Sequence, residues 1–303
     1  MSEARPGTEV ARFADVAMYK AMPNPMAEQG LPVEPQVYLV SMTPRPLQTL
    51  AAASLLYRGV IVTDPAKVSK ETALHEFAQM TKTVLEAPLE FIDLHFFIEG
   101  VSRDITHQIV RQRTAVFVQE SLRFAIKENS QFEEAIPPSI ARLKEDDPAR
   151  VIWDNAARLD ALTYNALIDA GIPAEDARKR LPHAITTRIQ YKSNLRNLTP
   201  TAGMRLCSQA QWDWKKIWIG IVGAILNYGP PEERWQQEEI VKLFRPICYQ
   251  EGRCKFRADT DRACSIRDRV EAHYAKGEGP DLWLDIDPRE PLLEGAARVK
   301  PGR

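Results

Sequence analysis

Three stretches of this sequence carry side chains suited to handling a small anion. The first is Gly100-Val-Ser-Arg-Asp-Ile-Thr-His-Gln-Ile-Val-Arg-Gln-Arg113. Read as a helix, it puts Val101, Ile105 and Ile109 on one stripe and Arg103, His107 and Arg111 on another, roughly opposite. Gln108 sits one turn before Arg111, so an amide and a guanidinium are aimed together from the helix end. The second stretch is Arg111-Gln-Arg113 followed by Gln119-Glu120-Ser121-Leu122-Arg123, three arginines in thirteen residues with apolar residues between them. Such a loop offers backbone N–H groups, a hydroxyl and a guanidinium to a phosphate. Ser121 lacks the paired His and Asp of a nucleophile elbow and reads as a ligand contact. The third stretch, Arg178 to Trp212, holds Arg178, Arg180, Asn194, Arg196 and Arg205, then Gln209-Ala-Gln211-Trp212. Asn194 and Arg196 point the same way on an extended stretch, and Arg205 and Gln209 share one helical face. Taken singly, each of these groups has a plainer reading, as part of a solvated face or a structural salt bridge.

The rest of the composition narrows the ligand. The 303 residues suffice for a core without staples, and 40 basic against 41 acidic residues leave a formal charge of −1. A general attraction to nucleic acid or to an anionic membrane is therefore excluded, and any anion must be met by locally placed arginines. Four cysteines, Cys207, Cys248, Cys254 and Cys264, form no CxxC pair, and the nearest histidine is His273. They read as reduced thiols, with no metal site. The polar Met1 to Val10 is no signal peptide, and the longest apolar run, Ile217 to Leu226, is too short for a membrane span. A cytoplasmic protein is expected.

The elements that must position these groups alternate in type. Gln36 to Met42 reads as a strand, apolar on both faces and so central and buried. Pro46 to Tyr57 and Ser69 to Leu85 read as helices, Asp93 to Ile98 as a strand, and Gly100 as the opening of a helix to about Arg111. Ala115 to Val118 suits an extended segment. A helix starts at Asp147–Pro148 and runs to Ala170–Gly171, with a short one at Pro173 to Lys179. Ile185 to Tyr191 reads as a strand, Thr199 to Asn227 as one long helix or two, and Pro230 to Tyr249 as another. Residues 1–35 and 276–303 read as an N-terminal arm and a C-terminal tail around a domain at 36–275.

Together the three stretches resemble the flavin-dependent thymidylate synthase (ThyX) family. The run RQRTAVFVQESLRF, Arg111 to Phe124, resembles its signature of RHR, seven residues and a serine. Tyr38-Leu-Val-Ser-Met-Thr-Pro44 with Leu50-Ala-Ala-Ala53 is similar to the family's first strand and helix. Pro88-Leu-Glu90, Ile98-Glu-Gly-Val-Ser-Arg103 and His107-Gln-Ile-Val-Arg111 match the lead into the signature. Leu181–Pro182, Asn194-Leu-Arg196, Arg205 and Ala210-Gln-Trp212 match its C-terminal half, with an insertion at about 125–165. The resemblance implies an α+β fold, a central, mostly antiparallel sheet flanked by helices, with extended terminal arms. It implies a homotetramer with active sites between subunits, each holding FAD. It also implies methylenetetrahydrofolate and NADPH as co-substrates and a pyrimidine deoxynucleoside monophosphate such as dUMP as substrate.

Carried over residue by residue, the resemblance gives Gln108, Arg111, Gln119, Glu120, Ser121, Leu122, Arg123, Arg178 and Arg205 to the nucleotide. It gives Glu90, Arg111, Gln112, Arg113, Gln119, Asn194, Arg196, Met204 and Gln209 to FAD, and makes Arg205 and Arg111 catalytic. A fixed guanidinium at Arg205 suits the negative charge that must gather on the uracil ring when its C5 becomes nucleophilic. A classical thymidylate synthase would need a Pro-Cys nucleophile, which none of the four cysteines supplies. The sequence departs from the family pattern at Gln112 and Gln209, where histidine is common, at Val116, Val118 and Phe124, and at Leu56. Three readings follow: a dUMP methylase, a hydroxymethylase or dCMP-directed one-carbon transferase on the same fold, and a non-catalytic flavin- or nucleotide-binding protein.

Overall fold

The computed structural model describes residues 35–125, 133–207 and 209–251. The terminal arms and tail expected at 1–35 and 276–303 fall almost wholly outside these residues, as do Cys254, Cys264 and His273. Four strands form one antiparallel sheet: β1 (Gln36–Met42), β2 (Asp93–Ser102), β3 (Val116–Gln119) and β4 (Thr186–Asn194), in the order β1-β2-β4-β3. The helices are α1 (Pro46–Leu55), α2 (Lys70–Met80), α3 (Arg103–Ile109), α4 (Pro148–Asp169), α5 (Leu195–Arg205), α6 (Trp212–Leu226) and α7 (Arg234–Val241). Short α-helices at Pro138–Ala141, Ala174–Ala177 and Ile247–Glu251 complete the α-helices among the described residues. The architecture is the expected α+β one.

Alternation along β2 builds the core. Leu94, Phe96 and Ile98 are fully buried on one face and meet Ile189 and Tyr191 of β4. Leu47, Leu50, Leu195, Leu198, Ile217, Trp218 and Ile221 cover that face from α1, α5 and α6. Ser54 Oγ donates to Glu76 Oε2 at 2.8 Å, and Arg58 reaches the other oxygen at 2.5 Å, tying the end of α1 to α2. Where α6 crosses β1, Gly220 leaves room for Val37; a Cβ there would lie 2.6 Å from Val37 Cγ2. We therefore expect Gly220→Ala to cost about 1–3 kcal/mol in chemical denaturation. Val37→Ala should recover most of it, and an unaffected single variant would mean that α6 does not press on the strand.

Three expectations from the sequence are corrected. β1 is an edge strand, not a central one, and Tyr38 and Val40 on its outer face are each 50% exposed. Its apolar residues on both faces reflect a sheet whose second face no helix among the described residues covers. Gly100 does not open a helix: with φ 69° it makes a bulge in β2, and the strand resumes at Val101 and Ser102 opposite Thr187 and Thr186. Only then does α3 begin, and Arg111 lies beyond its end. The second helix stops at Met80, and Val84 is exposed. For Thr199 to Asn227, read as one long helix or two, the structure has two, α5 and α6, broken between Arg205 and Trp212.

Candidate functional site

The buried Ile105 and Ile109 anchor α3 to the core and so set the direction of the residues that follow. The chain turns after Ile109 and returns as β3, which pairs with β4: Phe117 lies opposite Tyr191, the rings stacked at 5.3 Å and 9°. The turn is pinned from inside. Tyr191 donates its hydroxyl proton to Gln112 Oε1 at 2.5 Å, Gln112 Nε2 donates to Ser193 Oγ at 3.3 Å, and Ser193 Oγ to the Thr114 carbonyl at 3.5 Å. Burial raises the Tyr191 pKa above its ordinary value, so this phenol stays a proton donor. Gln112, expected at the flavin, thus turns its amide inward, while Arg111 and Arg113 on either side are exposed.

The loop after β3 is fixed as tightly. Gln119 Nε2 donates to Thr106 Oγ1 of α3 at 2.7 Å, and the Glu120 amide N–H donates to the Arg188 carbonyl at 3.0 Å. Arg103 Nη1 donates to the Glu120 carbonyl at 3.3 Å, the Arg123 amide N–H to Ser121 Oγ at 3.3 Å, and Leu122 is buried. Arg123 pairs with Glu175 at 2.8 Å, and Arg178 donates to the carbonyl of that same Glu175 at 3.3 Å. Burial, then the neighbouring Arg178 charge, lowers the pKa of Arg103. The structure therefore gathers Gln119 to Arg123, Arg178 and Arg103 into one cationic corner.

A second group forms where α5 ends. The Arg205 guanidinium lies over the Trp214 ring, 4.5 Å from its centroid, and burial lowers its pKa from the ordinary arginine value. Gln108 meets it from α3, accepting from Trp214 Nε1 at 3.0 Å. Among the described residues Arg111, Arg113, Arg178 and Arg205 have no carboxylate within ion-pair distance, whereas Arg58, Arg150, Arg180, Arg188 and Arg234 all do. The competing reading of these four as salt-bridged residues therefore fails. Arg178 and Arg205 are half-buried guanidinium groups left without carboxylates, which suits an anionic guest, while Arg111 and Arg113 stand exposed.

The third group, at the far end of β4, comprises Glu90, Asn194 and Arg196. Arg196 pairs with Glu90 and with Glu86, the latter at 3.4 Å. Asn194 and Arg196 do not share an extended stretch: Asn194 Oδ1 caps α5 by accepting from the Asn197 amide at 3.0 Å, and Arg196 is already helical. Met204 is exposed, and Gln209 lies in the turn after α5, so it shares no helical face with Arg205. Sequence reasoning missed Tyr191, Trp214, Asp104 and Asp213. Each is brought in by tertiary packing, and no local spacing marked it.

The model of the family described as thymidylate synthase complementing protein matches residues 38–226. The chain belongs to this family. Among relatives, the flavin-dependent thymidylate synthase of Pyrococcus furiosus is 32% identical over 228 residues, covering 72% of this chain and 88% of that one. That of Geobacter sulfurreducens is 31% identical over 197 residues, covering 64% and 84%. The crystal structure of the UMP/dUMP methylase PolB from Streptomyces cacaoi, bound with 5-Br dUMP, has a TM-score of 0.53. It is 18% identical and covers 64% of this chain and 90% of that one, which establishes the shared fold. The family match spans Arg111, Arg113, Arg178 and Arg205 and the whole pinned 111–123 segment.

Proposed function

We propose that this protein is an FAD-dependent thymidylate synthase that methylates dUMP to dTMP, with methylenetetrahydrofolate as carbon donor and NADPH as reductant. The observation that carries this reading is Arg205: half-buried, stacked on Trp214, free of any carboxylate among the described residues, and on the chain segment where the resemblance calls for the catalytic guanidinium. A cation held there meets negative charge as it gathers on the uracil O4 or O2 and N3 while C5 attacks the one-carbon unit. Because the indole already fixes the guanidinium plane, little reorganisation is needed at the moment of reaction.

The other residues divide by charge and reach. Arg178, Arg123 and Ser121 suit the nucleotide phosphate, with Glu175 yielding Arg123 when the stronger anion arrives. Arg103 holds the loop from behind through the Glu120 carbonyl. Arg111 and Arg113 are free for the diphosphate of FAD, and Asn194, Arg196 and Glu90 offer donors and an acceptor at the far end of β4. This donor set fits an anionic dinucleotide, which when bound supplies the reducing equivalents. Gln112 plays a lesser part in cofactor contact than the resemblance implies, since its amide is engaged with Tyr191 and Ser193. The test is spectroscopic: the purified protein should be yellow, and dUMP should perturb the flavin absorbance saturably. Protein that stays colourless after incubation with FAD would overturn the reading.

The same reading includes a homotetramer with shared sites. Its support is the uncovered sheet face, where Tyr38, Val40, Val116 and Val118 are exposed beside Phe97. These apolar side chains share the face with His95, Gln190, Arg188 and Lys192, and such a mixed, uncovered sheet face suits a contact between subunits. Val118→Asp should shift the species seen by sedimentation velocity towards monomer and dimer; an unchanged tetramer would place the interface elsewhere.

A further inference from the structure

Behind Arg205 lies a connected set of polar side chains that, Gln108 apart, the functional reading does not use. Trp214 Nε1 donates to Gln108 Oε1 at 3.0 Å, and Gln108 Nε2 donates to Gln211 Oε1 at 2.5 Å. Gln211 Nε2 donates in turn to Asp104 Oδ2 and to Asp213 Oδ2, each at 2.8 Å, and Asp104 also accepts from the Ser102 hydroxyl. Both ends of this chain admit one direction only. An indole N–H has no acceptor capacity, so Gln108 must present its oxygen there; the Asp104 and Asp213 carboxylate oxygens accept, so Gln211 must present its nitrogen to them. Neither amide can turn over without breaking two bonds at once. The chain also joins three elements: α3 through Asp104 and Gln108, the turn before α6 through Gln211, and α6 through Asp213 and Trp214. Trp214 and Asp213 are both buried, so the indole has a fixed tilt, and Arg205 lies on its face.

We propose that Trp214 is a positioning residue for Arg205, its indole plane locked by the Gln108–Gln211–Asp104/Asp213 chain so that the guanidinium is held at one angle for the reacting ring. The inference rests on the assignment of Arg205 to the pyrimidine. It has a consequence for Gln108: one N–H and one lone pair of its amide are already committed, which leaves one donor and one acceptor, in a fixed orientation, for the nucleotide. Asp104 and Asp213 act at a distance, through the amides, and touch neither Arg205 nor substrate.

The test is steady-state dUMP methylation by the FAD-loaded protein with three variants. Trp214→Phe keeps a ring face and removes the N–H anchor; Trp214→Leu removes both; Gln211→Leu breaks the chain without altering the indole. The expected losses in kcat are about 3- to 10-fold for Trp214→Phe and Gln211→Leu and about 10- to 100-fold for Trp214→Leu. Flavin absorbance should stay close to the parent value, and any rise in the KM for dUMP should be smaller than the loss in kcat. A purely structural role would instead raise KM or release flavin in proportion to the fall in melting temperature, with no advantage for Phe over Leu. Parent-like kcat in Trp214→Phe and Gln211→Leu would overturn the proposal even if Trp214→Leu failed to fold. An inactive parent protein would overturn the functional reading on which it rests, so the two failures are distinct.

Discussion

Arg205→Ala should lower kcat for dUMP methylation by about 100- to 1,000-fold, the scale expected when a single preorganised donor to a developing oxyanion is removed. The structure gives three reasons for so large an effect. The guanidinium is half-buried, so its field is not spread into bulk water. It has no carboxylate partner among the described residues to dilute its charge, and it lies on the Trp214 ring, fixed before substrate arrives. Folding should be little affected, because Arg205 ends α5 and no ion pair is lost. The check pairs kinetics with a thermal melt and a flavin spectrum. A variant that melts like the parent, binds FAD and still turns over at near the parent rate would contradict the role given to this residue.

Glu134→Gln should remove a pH dependence of stability worth about 3 kcal/mol. Glu134 bridges to Ile185 at the edge of the sheet, is 5% exposed, and has its pKa raised to about 7 by burial first, then by the nearby carboxylates of Asp160 and Asp154. A carboxyl whose folded pKa lies above its unfolded value favours the folded state most fully at low pH. Its contribution is intact below about pH 4.5 and is lost as pH rises to about 7, where the folded group must ionise beside two like charges. The parent protein should therefore lose stability from this group between about pH 5 and 7. The glutamine variant, which needs no ionisation, should be the more stable of the two at pH 8 and show a flatter profile. Urea denaturation at pH 5 and pH 8 measures the difference. Parallel profiles in the two proteins would show that Glu134 ionises freely.

Much of the fold was readable from local pattern, and the exceptions share a cause. The helix over Pro148–Asp169 announces itself by Asp147 followed by proline, and Asp147 does accept from the Ala149 amide at 2.9 Å. The strand at Gln36–Met42 was equally plain, but its place in the sheet was not. Apolar residues on both faces describe a buried central strand and an edge strand with an uncovered apolar face equally well. Gly100 misled for a similar reason, since a glycine before an amphipathic run serves a helix start or a bulge, and only the pairing of Val101 with Thr187 decides.

At the site, the contiguous segment from Arg111 to Arg123 was legible because its spacing is local. The residues that hold it were not. Tyr191 reaches Gln112 across 79 positions of sequence, and Trp214 reaches Gln108 across 106, so no window of neighbouring residues contains either pair. The departures at Gln112, Val116 and Val118 also look different in three dimensions. Gln112 is engaged with Tyr191 and Ser193, while the valines lie on the exposed sheet face and away from the Arg205 cluster. The arginines offered to the nucleotide and the cofactor are all present, and four of them are free of carboxylates among the described residues.

The most direct measurement is turnover with FAD, NADPH and methylenetetrahydrofolate, offering dUMP and dCMP in separate reactions and identifying each product by mass. The account predicts that dUMP gains one methyl group and that dCMP is left unchanged. A hydroxymethyl product, or reaction with dCMP alone, would contradict it by showing that the same fold and arginines serve a different one-carbon transfer.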